Sequence, residues 1–295
     1  VNIHLENINL KSASGPNSFA NKLIKYSENC TFDHSNPPDV HLCFIETYKS
    51  NFKKPLFLRL DGIYINTAQN YNAQNLNIEK TYHAAQGVIF QSEFGKKLIF
   101  KRFGEHKNFT IIKNGADIKE INVTPVLNFN RHRTLWACAS NWRPHKRLQS
   151  NIQYFLNNSD PQDGLIIAGF VPKHDQILRD NIYYVGNLNQ KQLFSLYKRA
   201  EYFIHLAFLD CCPNVVIDAR ACGCKVICTD SGGTKEIAGN NAVVIKDLDW
   251  DFEPLDLYNP VSLEFNNLSD QKGQNSDLDM SIISKKYLQF IKESL

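Results

Sequence analysis

Two aspartates, Asp210 and Asp218, stand in the stretch DCCPNVVIDARACGCKVICTDSGGTKE, which runs from residue 210 to residue 236. Between and after them Pro213 and Asn214 precede Val215, Val216, Ile217, Ala219 and Ala221, an apolar run that predicts a helix. Pro213 suits a first-turn position, where its missing N–H costs nothing, and Asn214 is a capping residue type. Gly223 ends the helix, and KVICTD reads as a short buried strand that runs into a turn at Ser231-Gly232-Gly233. A helix start offers unpaired N–H groups and a partial positive charge to a phosphate. Cys212, Pro213, Asn214 and Val215 are therefore the expected phosphate cradle. Four residues into the helix the chain has risen about 6 Å, comparable with the span from a nucleotide's diphosphate to its ribose. Asp218 is expected to accept from both ribose hydroxyls, as an acidic residue does in dinucleotide folds. Asp210, in the loop before the helix, falls on the phosphate side, beside whatever the diphosphate carries.

A leaving diphosphate needs cations or fixed dipoles around it. Arg143 and Lys146 supply them in a loop directly after the strand TLWACAS; arginine forks onto phosphate oxygens and lysine brings a compact charge. Asp-x-Asp, a metal-binding pattern, occurs at 247–249, 249–251 and 277–279. These acids follow the last strand or begin the terminal helix, and they read as solvated turns and helix-start acids, so no metal is expected. Of the eight cysteines, Cys138, Cys222, Cys224 and Cys228 fall in core elements. No second cysteine pair completes a zinc knuckle, and a reduced, cytoplasmic protein is expected.

The elements that must position these residues alternate. VNIHL, DVHLCFIE, PLFLRLD, GVIFQS and FTIIKNG read as strands, with SFANKLIKYSE, IEKTYHAAQ and SEFGKKLIFKRF as helices between them. A polar stretch from Ile118 to Arg133 reads as a linker. The pattern then restarts with TLWACAS and a helix from about Lys146 to Leu156. LIIAGF, IYYVGN, YFIHLA, KVICTD and NAVVIK follow as strands, and a last helix has Ser276 as its cap. Such alternation predicts an α/β protein of parallel sheets covered on both faces. Its 295 residues allow two domains. We expect two Rossmann-like domains facing an interdomain cleft, residues 1–125 and 126–270, followed by a helix at 271–295.

DCCPNVVIDARACG resembles the donor-site motif of GT-B glycosyltransferases, in particular the retaining family 4, with aspartates where that family has two glutamates. YYVGN, LIIAGF, ASNWRPHKRL, FQSEFGKKL and IIKNGADI follow the same family's landmarks. The resemblance is dense from about residue 86 to 246 and thin before. It implies the GT-B fold, with the helix at 271–295 packing back on the first domain, and sugar transfer from a nucleoside-diphosphate sugar to a glycan, lipid or protein acceptor, retaining and independent of metal or cofactor. It implies catalytic roles for Asp210, Arg143 and Lys146, with Lys146 on the family lysine and Asn141 at the usual arginine position. Gly186 and Glu236 join the donor site, Glu236 as an orienting acid. In the first domain Gly15 and Asn17 correspond to a glycine-rich loop, and Asp61 stands where many relatives carry a histidine.

A net charge of +3 gives no argument for nucleic acid, and no apolar run of spanning length occurs; peripheral contact with a membrane stays open. A hydride-transferring dehydrogenase lacks its GxGxxG. Two alternatives remain at this level: a nucleotide-sugar epimerase, and a degenerate GT-B module that binds a nucleotide sugar or glycan without turnover.

Overall fold

The computed structural model describes residues 1–12 and 14–295, which divide into two compact units. The first comprises residues 1–115, 251–255 and 277–295. Its strands β1 (Ile3–Glu6), β2 (Val40–Phe44), β3 (Leu56–Leu60), β4 (Gly87–Phe90) and β5 (Phe109–Ile111) form one parallel sheet in that order. Buried parallel strands read as continuous apolar runs, and β3, LFLRL, is buried at every position. Helix α1 (Gly15–Tyr26) crosses back to Thr31, which bridges Asn2 on the outer side of β1. Helices α2 (Tyr71–Ala84) and α3 (Glu93–Phe103) belong to crossovers running the other way. With right-handed crossovers this reversal puts α1 on one face and α2 and α3 on the other. Phe19, Ala20 and Leu23 of α1 accordingly pack with Ile3, Leu5, Leu42 and Phe44, while Ile78, Tyr82 and Ile99 pack with Cys43, Leu58 and Phe90.

The terminal helix, Met280–Glu293, buries Met280, Ile283, Tyr287 and Ile291 in the core of α1, a stripe at helical spacing. Its cap is Asp279, whose side chain accepts from Ser281 N–H, rather than the expected Ser276. Ser276 instead accepts from Arg220 at 3.1 Å.

The second unit comprises residues 116–250 and 256–276. Helix α4 (Ile118–Val123), capped by Asp117, occupies part of the stretch read as linker. Its buried Ile121 and the carbonyls of Ile121 and Thr124, which take Lys198 Nζ, tie it to the unit. Strands β6 (Leu135–Ala139), β7 (Gly164–Ala168), β8 (Ile182–Gly186), β9 (Tyr202–His205), β10 (Lys225–Thr229) and β11 (Val243–Ile245) form a parallel sheet in the order β11-β10-β9-β6-β7-β8. Helices α5 (Leu148–Asn158), α6 (Gln190–Arg199) and α7 (Asn214–Ala221) lie between them in sequence. Asn189 and Gln192 close a reciprocal capping box on α6. Counted within the unit, this is the doubly wound order 3-2-1-4-5-6, in which direction reverses between the first and fourth strands. Here those strands are β6 and β9. Among the described residues no helix is long and apolar enough to cross a membrane.

Candidate functional site

Ligands of doubly wound sheets bind beyond the carboxyl ends of the strands where the order reverses. In the second unit two loops meet there, residues 140–147 after β6 and residues 206–213 after β9. Lys146 closes a 3₁₀ turn, Pro144–Lys146, instead of starting α5, which begins at Leu148. Its ammonium donates to Asp210 Oδ2, and His205 Nε2 lies 3.1 Å from the same oxygen. A carboxylate oxygen only accepts, so His205 carries its proton on Nε2. The side chains of Asp210 and Lys146 keep 15% and 18% of their surface in solvent, and His205 keeps 4%. Burial would raise the Asp210 carboxyl, but Lys146 and the His205 hydrogen bond hold it well below the usual carboxylate range. Burial holds His205 below its ordinary value in spite of Asp210. The cluster at neutral pH is therefore an ammonium, a carboxylate and a neutral imidazole. Next to it burial and then Lys146 push His145 down to about 4.

Backbone and buried amides fix the two loops to each other. Phe208 N–H donates to His145 O at 2.8 Å. Asn151 of α5, fully buried, donates to Lys146 O at 3.1 Å and Arg147 O at 2.7 Å, and accepts from Leu206 N–H at 3.2 Å. Gly233 N–H donates to Asp210 O at 2.8 Å. Gly232 has φ +109°, and a Cβ there would stand 2.7 Å from Asp210 O, so the turn reaches this loop because position 232 has no side chain.

Residues 125–251 match the profile of glycosyl transferases group 1. These residues are a glycosyltransferase domain. No curated protein matches the chain. Among solved structures the chain is similar to Anabaena HepE in complex with UDP and glucose, with 13% identity, TM-score 0.65, and 98% of this chain and 99% of that chain covered. Sucrose-phosphate synthase from Thermosynechococcus elongatus gives 13% identity and TM-score 0.64 over 84% and 83% of the two chains. A glycosyltransferase from Rickettsia africae gives 13% and 0.62 over 99% and 98%. The fold shared with them is GT-B.

Within the glycosyltransferase domain Pro213 is the cap of α7 and Asn214 its first residue, so the cap falls one position before the asparagine that the sequence offers for it. A cap residue has β-region backbone, and it is Pro213, at φ −68°, ψ 119°, that adopts it, while Asn214 is already helical. Cys212 and Pro213 are buried, and Asn214 and Val215 are half-buried. Asp218 lies one turn into α7, close enough to Tyr197 and Cys222 for its charge to add to burial in raising both. Asn141 and Arg143 are exposed, with Arg143 N–H donating to Asn141 O at 2.8 Å. Gly186 ends β8 at φ +66° with open space where a side chain would be. Glu236 is buried in the 3₁₀ turn Thr234–Glu236.

In the first unit Gly15 and Asn17 open α1, and Asn17 accepts from Asn9 N–H at 3.0 Å, stitching the preceding loop. Asp61 pairs with Arg59 and accepts from Gln91 Nε2 at 2.8 Å. Arg59 is fully buried, donates to Asn114 Oδ1 at 2.8 Å and Tyr287 Oη at 3.2 Å, and lies 4.2 Å from the Phe19 ring centroid. Asp61 is therefore engaged as the counter-ion of a buried guanidinium.

Sequence reasoning missed His205, Asn151 and the pair Arg147–Asp247. Asp247 is buried, not in a solvated turn: it takes Arg147 Nη1 at 2.6 Å and Nη2 at 3.2 Å, and Ser231 Oγ–H at 2.5 Å. His205 had a legible signal, since a polar residue closes an apolar strand five positions before Asp210.

Proposed function

We propose that the chain transfers a sugar from a nucleoside-diphosphate sugar to an acceptor with retention at the anomeric carbon, using cations of the protein in place of a metal and no cofactor. The acceptor is a glycan, lipid or protein, and the working place is the cytoplasm. The observation that carries this reading is the meeting of Lys146 and Asp210 at the point of strand reversal, with the α7 N-terminus following in the same loop. The α7 start and Lys146, with Arg143 beside it, are the groups that would hold the diphosphate as it leaves. Asp210 stays ionised, so it is no general acid. With Oδ2 committed to Lys146 and His205, its Oδ1 is the atom offered to a sugar hydroxyl and to positive charge at the anomeric carbon. Asp218 is assigned the ribose. Proton transfer from the acceptor needs no protein base where a donor phosphate oxygen takes it.

HepE, which shares the fold, is seen in complex with UDP-glucose, which supports a nucleotide-sugar partner and makes UDP-sugars the first probes. A thermal-shift panel of UDP-, GDP-, ADP- and TDP-sugars with wild type and Asp218→Asn tests the donor site. A nucleotide at about 100 times its Kd stabilises by about 2.7 kcal/mol. Stabilisation of wild type and not of the variant supports the reading. No stabilisation by any of the four removes it.

A further inference from the structure

The first unit holds a second constellation, made of residues to which the proposed sugar transfer assigns no role. His4 and Glu6 are two apart on β1, and His41 is the register partner of His4 on β2. Side chains two apart on a strand share a face, so the three necessarily stand together, opposite the core residues Ile3, Leu5, Val40 and Leu42. One ligand atom from each lies within 4.8 Å of the other two, the one such cluster among the described residues. Glu6 is buried, His4 and His41 are half-buried, and segments 33–36 and 49–52 lie against them. His34 stacks on His4 with centroids 4.2 Å apart, and Phe52 meets His41 edge-on at 4.6 Å.

The hydrogen bonds fix the protons. His4 Nε2 lies 2.8 Å from Asn36 O and 3.1 Å from Asp33 O. Carbonyls only accept, so Nε2 carries the hydrogen and the Nδ1 lone pair is turned away from them. Metal-ligating histidines characteristically donate their second N–H to a carbonyl or carboxylate in this way. His41 Nδ1 lies 2.9 Å from Glu6 Oε1. The buried carboxylate of Glu6 requires a positive neighbour, and Lys49 Nζ, on a side chain 65% exposed, supplies one at 2.6 Å from Oε2.

We propose that His4, Glu6 and His41 form a structural site for a divalent transition metal of the Zn²⁺, Co²⁺ or Ni²⁺ class, and that the Lys49 ammonium substitutes for that ion in its absence. Two imidazoles with one carboxylate suit these ions, whereas Mg²⁺ and Ca²⁺ take oxygen sets. Bonds of about 2.0–2.2 Å in a tetrahedron place ligands about 3.4 Å apart, so the three side chains close by about 1.4 Å at most. Lys49 swings into solvent as the ion arrives, and water or the exposed His34 completes the shell. The ion ties β1 to β2 and, through the carbonyls that hold His4, to segment 33–36.

The test titrates EDTA-stripped full-length protein with Co²⁺, followed by Zn²⁺ competition. One equivalent of Co²⁺ is expected, with the visible absorption of four-coordinate cobalt and no thiolate charge-transfer band, and Zn²⁺ should raise the melting temperature by several degrees. The double variant His4→Ala/His41→Ala should bind at least about 100-fold more weakly, and His174→Ala, on the exposed surface, as wild type does. Lys49→Ala leaves the fold's interior untouched and should bind several-fold tighter, because a competing cation is gone. Equal uptake by wild type and the double variant overturns the site, as does a thiolate band, which would assign the metal to the cysteines. Unchanged or weaker binding by Lys49→Ala overturns the exchange with Lys49.

Discussion

Replacing Asp210 with Asn removes one charge and keeps an oxygen that accepts from His205 Nε2–H. What it leaves behind is the Lys146 ammonium, only 18% exposed, without its anion. Breaking a buried ion pair from one side costs about 3–5 kcal/mol. Residual exposure and the surviving amide oxygen reduce this to about 2 kcal/mol here. The pH dependence identifies the partner. Asp210 has a folded pKa below its ordinary value, with Lys146 as the leading attractive cause. The stability it adds is complete above its unfolded pKa of about 3.9 and is lost as pH falls below that toward the folded value. The urea-midpoint difference between wild type and Asp210→Asn should therefore be flat from about pH 5 to 9 and narrow only below about pH 4. If the difference instead fades as pH rises from about 5 to 7, a charged His205 is the partner and the assignment to Lys146 fails. In turnover with a donor nucleotide sugar, loss of the charge that we propose faces the anomeric carbon should lower kcat about 10²–10³-fold, as removal of one preorganised electrostatic group does. A folded variant with kcat close to wild type would refute the role given to Asp210.

Asp218→Asn should keep the fold and abolish stabilisation by the preferred nucleotide, read in the thermal-shift panel. Asn151→Ala strips three hydrogen bonds from buried groups, so it should cost about 2–3 kcal/mol in urea unfolding and lower turnover through displacement of Lys146, with a smaller loss for Asn151→Asp. His145, with a folded value of about 4 against an ordinary 6.5, is stabilising as the neutral form above 6.5 and loses that advantage as pH falls toward 4. Wild type should lose up to about 3 kcal/mol across that window, and His145→Gln should flatten that part of the profile in pH-dependent unfolding. Asp247→Ala leaves Arg147, whose side chain is 3% exposed, without its anion and should cost about 3–5 kcal/mol, measured by chemical denaturation.

The fold was largely legible because parallel strands buried on both faces are continuous apolar runs, and β3, β6 and β7 announce themselves as LFLRL, LWACA and GLIIA. Boundaries were less so. The stretch read as a linker has no long apolar face, yet Asp117 caps a short helix there, seated by buried Ile121 and by Lys198 Nζ on the carbonyls of Ile121 and Thr124. The expected cap at Ser276 failed because Asp279, three residues later, offers the same chemistry directly before the apolar stripe that begins at Met280. For the candidate site, residue type and spacing nominated Lys146 and Asp210 but did not show that they touch. That contact depends on which strands are neighbours, and β6 and β9 are far apart in sequence. The cluster of His4, Glu6 and His41 was hidden for the same reason, since it depends on the register of β1 against β2.

Arg147 and Lys146 show why composition alone could not assign the cations of this loop. They are adjacent, both basic, and both opposite an aspartate, yet one is free to work and the other is not. Arg147 adopts φ 51°, ψ 53° between the 3₁₀ turn and α5, a left-handed conformation that is costly for a residue with a Cβ. What offsets it is on the side chain: a two-point ion pair with Asp247, a bond to Val261 O at 2.7 Å, and the Phe208 ring 4.8 Å from the guanidinium. Glycine would take the backbone angle readily but could supply none of these. The twist at Arg147 separates the directions of the two side chains, so that Arg147 anchors the loop in the interior while Lys146 turns to Asp210. A guanidinium whose two terminal nitrogens are taken by Asp247 and Val261 O, and whose Nε is buried, has no exposed donor to offer a ligand. Lys146 has one contact, to a carboxylate that is itself still partly in solvent, and a diphosphate can compete for it.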